Sequence, residues 1–376
     1  MGRSDGMKQA KRITTVQVAA IMTSTIIGVG VLPIPLFAVR GADSGAPLVT
    51  LLGASVAFIG LFLIARLGMR FPGQSIVQYG EVVIGKWLSW IGSIGIIGFF
   101  AILTSLTARE FGEVVITSVL TETPLEVTVI VMLMLAAIST RNDITTFAYI
   151  HLFYFPLLIG PALLIVALSL KNADMVNLQP IWGNSHKDML ASVLTIASLF
   201  QGGFIITSVI PAMREPRKAM MASMIGLVIA GGLYVTIVGA TVGVFGSEET
   251  KNLLWPTLEL AKATSLPANV LERLDAAFLA VWVTAVFTTL FSSYYLAVKE
   301  LSKLFRLQDH KMFSFFLLPG VFSMAMVPYN ILHMYEIIQN VGRIGLFVTI
   351  AYPGLLLVVA ILRKKRGEPS EERSAG

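Results

Sequence analysis

Long apolar runs separated by short polar connections dominate this chain. Segments of spanning length fall at about 14–39, 46–67, 87–118, 125–140, 145–170, 190–212, 219–246, 271–298, 312–328 and 344–362. A helix needs about 20 apolar residues to cross the hydrocarbon core, whereas a barrel strand is about 10 long and alternates. The pattern therefore predicts an all-α integral membrane protein of ten transmembrane helices, read as one transmembrane domain over 1–376 with a short tail at 363–376. The fourth segment is short and the third long, which tilt reconciles. Three connections are predicted to be more than turns. Residues 68–86 are amphipathic and suit the inner interface. Residues 171–189 form a polar outer loop. Residues 247–270 are expected to hold an outer helix beginning near Pro256, because proline is well placed in a first helical turn.

Composition supports the membrane reading. The chain is 55% hydrophobic and 13% charged, with a mean hydropathy of +0.79. A soluble chain carries about 25% charge. The net charge is +6, and its placement explains it. With the N-terminus inside, 20 Lys and Arg fall on the inner side and seven on the outer, leaving Arg109 unassigned. That bias fits the positive-inside rule with both termini cytoplasmic, and it removes nucleic acid from the list of partners. The tail "LRKKRGEPSEERSAG" reads as a stop-transfer anchor rather than a lipid-binding tract. No cleavable signal peptide is read. There is no cysteine, which excludes disulfides, a thiol nucleophile and Cys-based metal sites. GxxxxGK[ST], HExxH, GxSxG and a full GxGxxG are absent, and with four His a transition-metal centre has little support. No enzyme and no cofactor is expected.

The first span carries Gly28, Gly30, Pro33 and Pro35 within "TIIGVGVLPIPL". Proline removes an N–H and clashes with the carbonyl one turn back. A helix so loosened is tolerated in lipid only where its freed groups are buried in protein or line a wet cavity. For one helix alone, a packing notch would suffice. The sixth span repeats the signature, with Gln201, Gly202 and Gly203 at its midpoint and Pro211 near its end. Five helices is an odd number, so two five-helix halves, about 14–170 and 190–362, must have opposite orientation. Broken helices at matching positions in two such halves point to a midplane substrate site in an inverted repeat. Half-helix N-termini suit a carboxylate, and opposed carbonyls suit an ammonium group. A free amino acid carries both. Bound this way its ends need no charged side chain, and none is found near these midpoints.

Depth counting adds Thr104 on the third span and Thr284 and Thr288 on the eighth, although a membrane threonine often bonds only its own backbone. Phe204 and Trp282 either wall such a pocket or pack. The candidate ligand-binding set is Thr25, Gly28, Val29, Gly30, Thr104, Phe200, Gln201, Gly202, Gly203, Phe204, Thr284 and Thr288. His151, within the fifth span, is a candidate proton or cation site, with Ser292 and Ser293 at similar depth. The alternative for His151 is a neutral ring hydrogen-bonded between helices. Arg109, Glu110 and Glu113 lie toward the outer end of the third span, where Arg109 and Glu113 can pair at i,i+4. They form a gate or, the favoured reading, a solvated helix end.

The sequence also resembles a known family. "WPTLELAK" (255–262) followed by "ERLDAAFLAVW" (272–282) resembles the outer-loop and helix-eight signature of the B subunits of spore germinant receptors. The resemblance extends over essentially the whole chain. That family is similar to the amino acid–polyamine–organocation (APC) transporters, whose LeuT-like fold is the same five-plus-five inverted repeat. The resemblance implies a nutrient-sensing subunit in the inner membrane of the dormant spore. It implies assembly with an A subunit and a C-subunit lipoprotein, recognition of a germinant such as an amino acid, and release of ions and dipicolinate. It places the pocket at Gly28–Gly30 and Gln201–Gly203 with the third and eighth helices. Glu272, Arg273 and Asp275 become a structural ion cluster or a partner-facing one. Transporter relatives can carry a lysine in helix five where this chain offers His151.

Three functions remain open on the sequence. The first is a ligand-sensing receptor subunit, in which a nutrient shifts the balance between two helix arrangements. The second is a proton-coupled amino-acid transporter using the same pocket. The third is a scaffold subunit with a relic pocket. Fold does not separate them, because function lives in the site.

Overall fold

The computed structural model describes residues 13–183, 188–264, 274–307 and 309–367. These residues are helical almost throughout, with one isolated backbone bridge between Ile13 and Met213. In chain order the helices are α1 (Thr15–Ile26), α2 (Ile34–Ala42), α3 (Ala46–Arg70), α4 (Ile76–Ile84), α5 (Lys86–Ser118), α6 (Leu125–Ser139) and α7 (Ile144–Ser169). They continue as α8 (Met189–Ser198), α9 (Ile206–Val209), α10 (Ala219–Asn252), α11 (Pro256–Ala263), α12 (Leu274–Leu304), α13 (Lys311–Phe316), α14 (Leu318–Ala325), α15 (Ile331–Leu346) and α16 (Tyr352–Leu362).

Among the described residues six helical runs are long and apolar enough to cross a membrane: Ile34–Arg70, Lys86–Ser118, Ile144–Asn172, Pro216–Asn252, Ala277–Leu304 and Ile331–Leu362. Met189–Ser198 and Gln201–Ala212 form a further pair, bent by 41°. Shorter apolar helices occupy Thr15–Ile26, Leu125–Ser139 and Lys311–Ala325. The chain is an all-helical integral membrane protein.

Local chemistry explains most boundaries. α1 opens on a capping box in which Thr14 and Gln17 satisfy each other's backbone N–H groups. α4 lies where the amphipathic 68–86 stretch was predicted, and α11 starts at Pro256 as expected. The predicted 219–246 span stops at Gly246, where φ of +74° breaks the helix before it continues to Asn252. That backbone angle suits glycine. Two expectations need correction. The 312–328 span is two short helices, α13 and α14, with Pro319 in the first turn of the second. The 344–362 span begins earlier, at Ile331. Asn330 caps it by accepting from the His333 N–H, and a π turn at Phe347–Ala351 joins α15 to α16. Glu272 and Arg273 lie outside the described residues, as does the side chain of Asp275.

α1 sits at the centre, packed against α10, α7 and α12. α3 packs on α10 and α8, and α5 runs along α12. The start of α1 and the end of the second broken helix are tied together by main chain. The Ile13 N–H donates to the Ala212 carbonyl and the Arg214 N–H donates to the Ile13 carbonyl, each at 2.9 Å.

A buried cavity between two broken helices

α1 ends at Ile26, and the chain resumes as a 3₁₀ turn over Val29–Val31 before α2 starts at Ile34. Gly28 carries the change of direction, with φ of −136° and ψ of −138°. Breaking a helix frees carbonyls that must find donors. Here other helices supply them. Thr288 Oγ1 donates to the Ser24 carbonyl at 2.9 Å, and Thr289 Oγ1 to the Thr25 carbonyl at 3.0 Å. Tyr234 Oη donates to the Ile26 carbonyl and Thr257 Oγ1 to the Val31 carbonyl, both at 2.7 Å.

The second break follows α8. Leu199 and Phe200 lead into a 3₁₀ turn over Gln201–Ile205, then α9. Gly202 lies directly on the first break. A Cβ there would stand 2.6 Å from the Thr25 carbonyl oxygen, so only glycine permits this approach. The Gln201 side chain crosses to α15, where Nε2 donates to the Gly342 carbonyl at 2.7 Å.

A cavity of about 70 Å³ opens where the two breaks meet. A single water needs about 10–15 Å³ of such space, so there is room for a small molecule or several waters. Its walls come from both breaks, α5, α12 and α15. Phe37, Phe99, Phe100, Leu103 and Val341 make it largely apolar, while Thr25, Thr107, Ser198, Thr289, Ser292 and Ser293 contribute hydroxyls. Two acceptors stand out. Glu110 is 2% exposed and lines the cavity, and its Oε1 has no hydrogen-bond partner. Gln201 Oε1 is also buried without a partner. An unmet buried acceptor costs about 1–3 kcal/mol, more when charged. The site therefore favours an occupant that brings donors.

Of the residues singled out from sequence, the structure brings Thr25, Gly28, Val29, Gly30, Gln201, Gly202, Ser292 and Ser293 to the cavity wall. Thr104 stands behind it, donating to Ser293 Oγ at 2.8 Å. Thr284 bonds the Val281 carbonyl of its own helix, and Thr288 braces the first break. Phe200 packs edge-on to Tyr234, and Phe204 against Phe100. Gly203 faces away, toward Leu61 and Met22. Trp282 stacks on Phe111.

His151 is fully buried one layer out. Its Nδ1 meets Ser24 Oγ at 2.5 Å and its Nε2 meets Ser292 Oγ at 3.1 Å. Ser292 Oγ meets Thr25 Oγ1 at 2.8 Å, and Ser24 Oγ donates to the Ala20 carbonyl at 2.7 Å. One directional chain satisfies every group: Thr25 donates to Ser292, Ser292 to Nε2, Nδ1–H to Ser24, and Ser24 to Ala20. A neutral ring completes it.

Two sequence expectations about charge are corrected. Arg109 and Glu113 are not a solvated helix end. They pair at 2.7 Å with both side chains nearly buried. Nor is the region between the breaks without a charged side chain, since Glu110 lies on its wall. Sequence reasoning also missed α15, whose Ile338, Val341 and Gly342 close the cavity. The spacing of Ile331, Met334, Tyr335, Ile338, Val341 and Gly342 carries the helical signal. Among the described residues no group of three or more His, Asp or Glu could hold a metal ion.

A helical bundle in which two interrupted helices enclose a buried cavity has counterparts among solved structures. The chain superposes with a TM-score of 0.71 on Mhp1, a nucleobase-cation-symport-1 family transporter solved in a closed conformation with bromovinylhydantoin bound. The match covers 96% of this chain and 81% of that one at 16% identity, so it speaks for the fold alone. The chain belongs to the Spore_permease family of spore germination proteins, whose model matches residues 12–362. It is similar to spore germination protein YndE of Bacillus subtilis, with 27% identity over 95% of this chain and 98% of the relative. It is also similar to spore germination protein B2 of the same organism, with 24% identity over 80% of this chain and 82% of the relative. The resemblance drawn from the outer-loop and helix-eight motifs thus agrees with the family model and with both relatives, which are spore germination proteins.

Proposed function

We propose that this chain is the nutrient-sensing subunit of a spore germinant receptor, and that its cavity takes a small germinant bearing a free amino group. The single observation that carries the ligand class is the pair of unmet acceptors, Glu110 Oε1 and Gln201 Oε1, in one buried cavity. An ammonium group supplies the donors that both lack, and its charge complements the Glu110 carboxylate. The backbone of the two breaks receives the ligand's carboxylate. Of the set read from sequence, Thr25, Gly28, Val29, Gly30, Gln201 and Gly202 serve as wall, Thr104 and Thr288 brace it, and Gly203 and Thr284 stand apart from it. His151 with Ser292 and Ser293 couples the wall to α7.

The same reading includes ten spanning helices in one transmembrane domain, arranged as inverted repeats over about 14–170 and 190–362. Interrupted helices in both halves and the transporter-like fold support it. Both termini face the cytoplasm, the membrane is the inner membrane of the spore, and an A subunit and a C-subunit lipoprotein read the ligand-driven shift. A ligand moves such an equilibrium only by its difference in affinity between the two states.

The test is binding and accumulation of labelled amino acids by the purified chain in liposomes, with and without a pH gradient. The matched 2-hydroxy acids serve as amino-free controls. The expected result is saturable binding of an amino acid without accumulation, none of its hydroxy analogue, and a roughly tenfold to hundredfold loss in Glu110→Gln. Gradient-driven accumulation would make the chain a proton-coupled transporter, the second reading that its fold relatives favour. Equal binding of the hydroxy acid would remove Glu110 from recognition.

A further inference from the structure

A second site lies far from the cavity, at the membrane end that carries the described ends of the chain. A groove of about 1020 Å³ is walled by α3, the 213–218 connection and the end of α16. Five arginines converge on it from those three segments: Arg66, Arg70, Arg214, Arg217 and Arg366. The one carboxylate on its wall, Glu215, is engaged with Lys218 at 2.8 Å. Arg70 is partly committed, donating from Nε to the Lys365 carbonyl at 2.6 Å and from Nη2 to the Ala360 carbonyl at 3.1 Å. Arg66, Arg214, Arg217 and Arg366 are exposed, and no carboxylate among the described residues pairs with them. So much like charge drawn into one concavity is unfavourable until an anion enters it.

The apolar part of the wall says which kind of anion. Phe62, Arg66 and Arg70 follow at i, i+4 and i+8 along α3, and Leu357 and Ile361 at i and i+4 along α16. The guanidinium of Arg66 sits 5.6 Å from the Phe62 ring centroid. Phe62 and Ile361 are exposed on helices long and apolar enough to span. The groove thus runs from a cationic mouth to an apolar flank. A soluble anion uses only the mouth, whereas a phospholipid uses both. Arginines at helix ends also act as topology anchors, but that role needs no convergence on a common groove.

We infer that this groove is a binding site for an anionic phospholipid, its phosphate held by Arg66, Arg214 and Arg217 and its acyl chain laid along Phe62, Leu357 and Ile361. The site is independent of any ligand in the central cavity. Basic pockets between spanning helices take anionic headgroups by this chemistry. Arg70 and Arg366 set the floor and rim.

The experiment is native mass spectrometry of the full chain in neutral detergent, titrated with phosphatidylglycerol, phosphatidylcholine or inorganic phosphate. The wild type is expected to retain phosphatidylglycerol over phosphatidylcholine by on the order of tenfold. Arg66→Gln/Arg214→Gln/Arg217→Gln should fall to parity. A charge-matched control, Lys86→Gln/Arg141→Gln/Lys311→Gln, should keep the preference, which separates a built groove from net charge. Monodispersity on size exclusion checks that each variant is folded. Equal retention of both lipids by the wild type, or the same loss in both triple variants, would overturn the proposal. Displacement of phosphatidylglycerol by equimolar inorganic phosphate would make the occupant a soluble anion. A preference that emerges only when residues 368–376 are removed would make the chain's own Glu371 and Glu372 the occupant.

Discussion

At the first break four backbone carbonyls, of Ser24, Thr25, Ile26 and Val31, each accept a hydroxyl from another helix. At the second, the turn closes largely on itself. The Leu199 N–H donates to the Ile196 carbonyl, that of Phe200 to Ala197, and that of Gly203 to Phe200. Both breaks arise from the same sequence signature, small residues with prolines nearby. The first is clamped from outside by α10, α11 and α12, whereas the second bends by 41° and sends only the Gln201 side chain across to α15. The lesson concerns where stability resides. Disturbing the first break leaves buried carbonyls without donors. Disturbing the second changes shape more than hydrogen bonding.

That contrast can be broken by substitution. Gly28→Val should have the largest effect, because any Cβ at Gly28 runs into the Thr289 side chain that clamps the break. Overpacking of this kind costs roughly 1–3 kcal/mol or more, and losing the Thr289 clamp adds to it. Thermal unfolding in detergent reads it, and a midpoint equal to wild type would show that the clamp is not needed. Gly202→Ala should come next. Its Cβ would meet backbone, the Thr25 carbonyl at 2.6 Å, so the two breaks must separate at a cost of roughly 1–3 kcal/mol and the cavity must change shape. Ligand binding and unfolding should both move. Thr288→Val with Tyr234→Phe removes two clamping hydroxyls without touching the cavity wall. About 1–2 kcal/mol of stability should be lost with ligand affinity preserved, and equal loss of both would merge clamp and site. The smallest effect belongs to Gly203→Ala, whose Cβ meets only the flexible ends of Leu61 and Met22. Less than about 1 kcal/mol is expected, with unchanged binding. A Gly203 variant as damaged as Gly202→Ala would erase the distinction drawn between these neighbours.

The two breaks were legible because their cause is local. Gly28, Pro33, Pro35 and the Gly202–Gly203 pair disfavour a helix whatever surrounds them. The membrane class followed equally from run length. Which α12 hydroxyls face the cavity followed only in part, because depth along a helix fixes height and not face: Ser292 and Ser293, singled out with His151, do line it. Thr284 and Thr288 were named by height. The face that meets the cavity is Thr289, Ser292, Ser293 and Leu296, displaced around α12 by one to a few residues. Glu110 was missed for a related reason. α5 runs 33 residues, about 50 Å at 1.5 Å per residue, so counting from its ends misplaces the membrane midplane. Read with Arg109 and Glu113, Glu110 looked like part of a polar helix end. In the fold Arg109 and Glu113 satisfy each other and leave Glu110 alone on another face. α15 was hidden by its polar residues, His333, Glu336, Gln339, Asn340 and Arg343, which lower any running average of hydropathy.

The backbone bridge at Ile13 has a mechanical consequence. It joins the foot of α1 to the far end of the second broken helix, so the lower arms of both hinges share one pivot. A movement of one arm either carries the other with it or breaks the two hydrogen bonds between them. The two arms are thus held to each other at this end by main chain. That shared point of attachment lies at Arg214, on the wall of the arginine-lined groove.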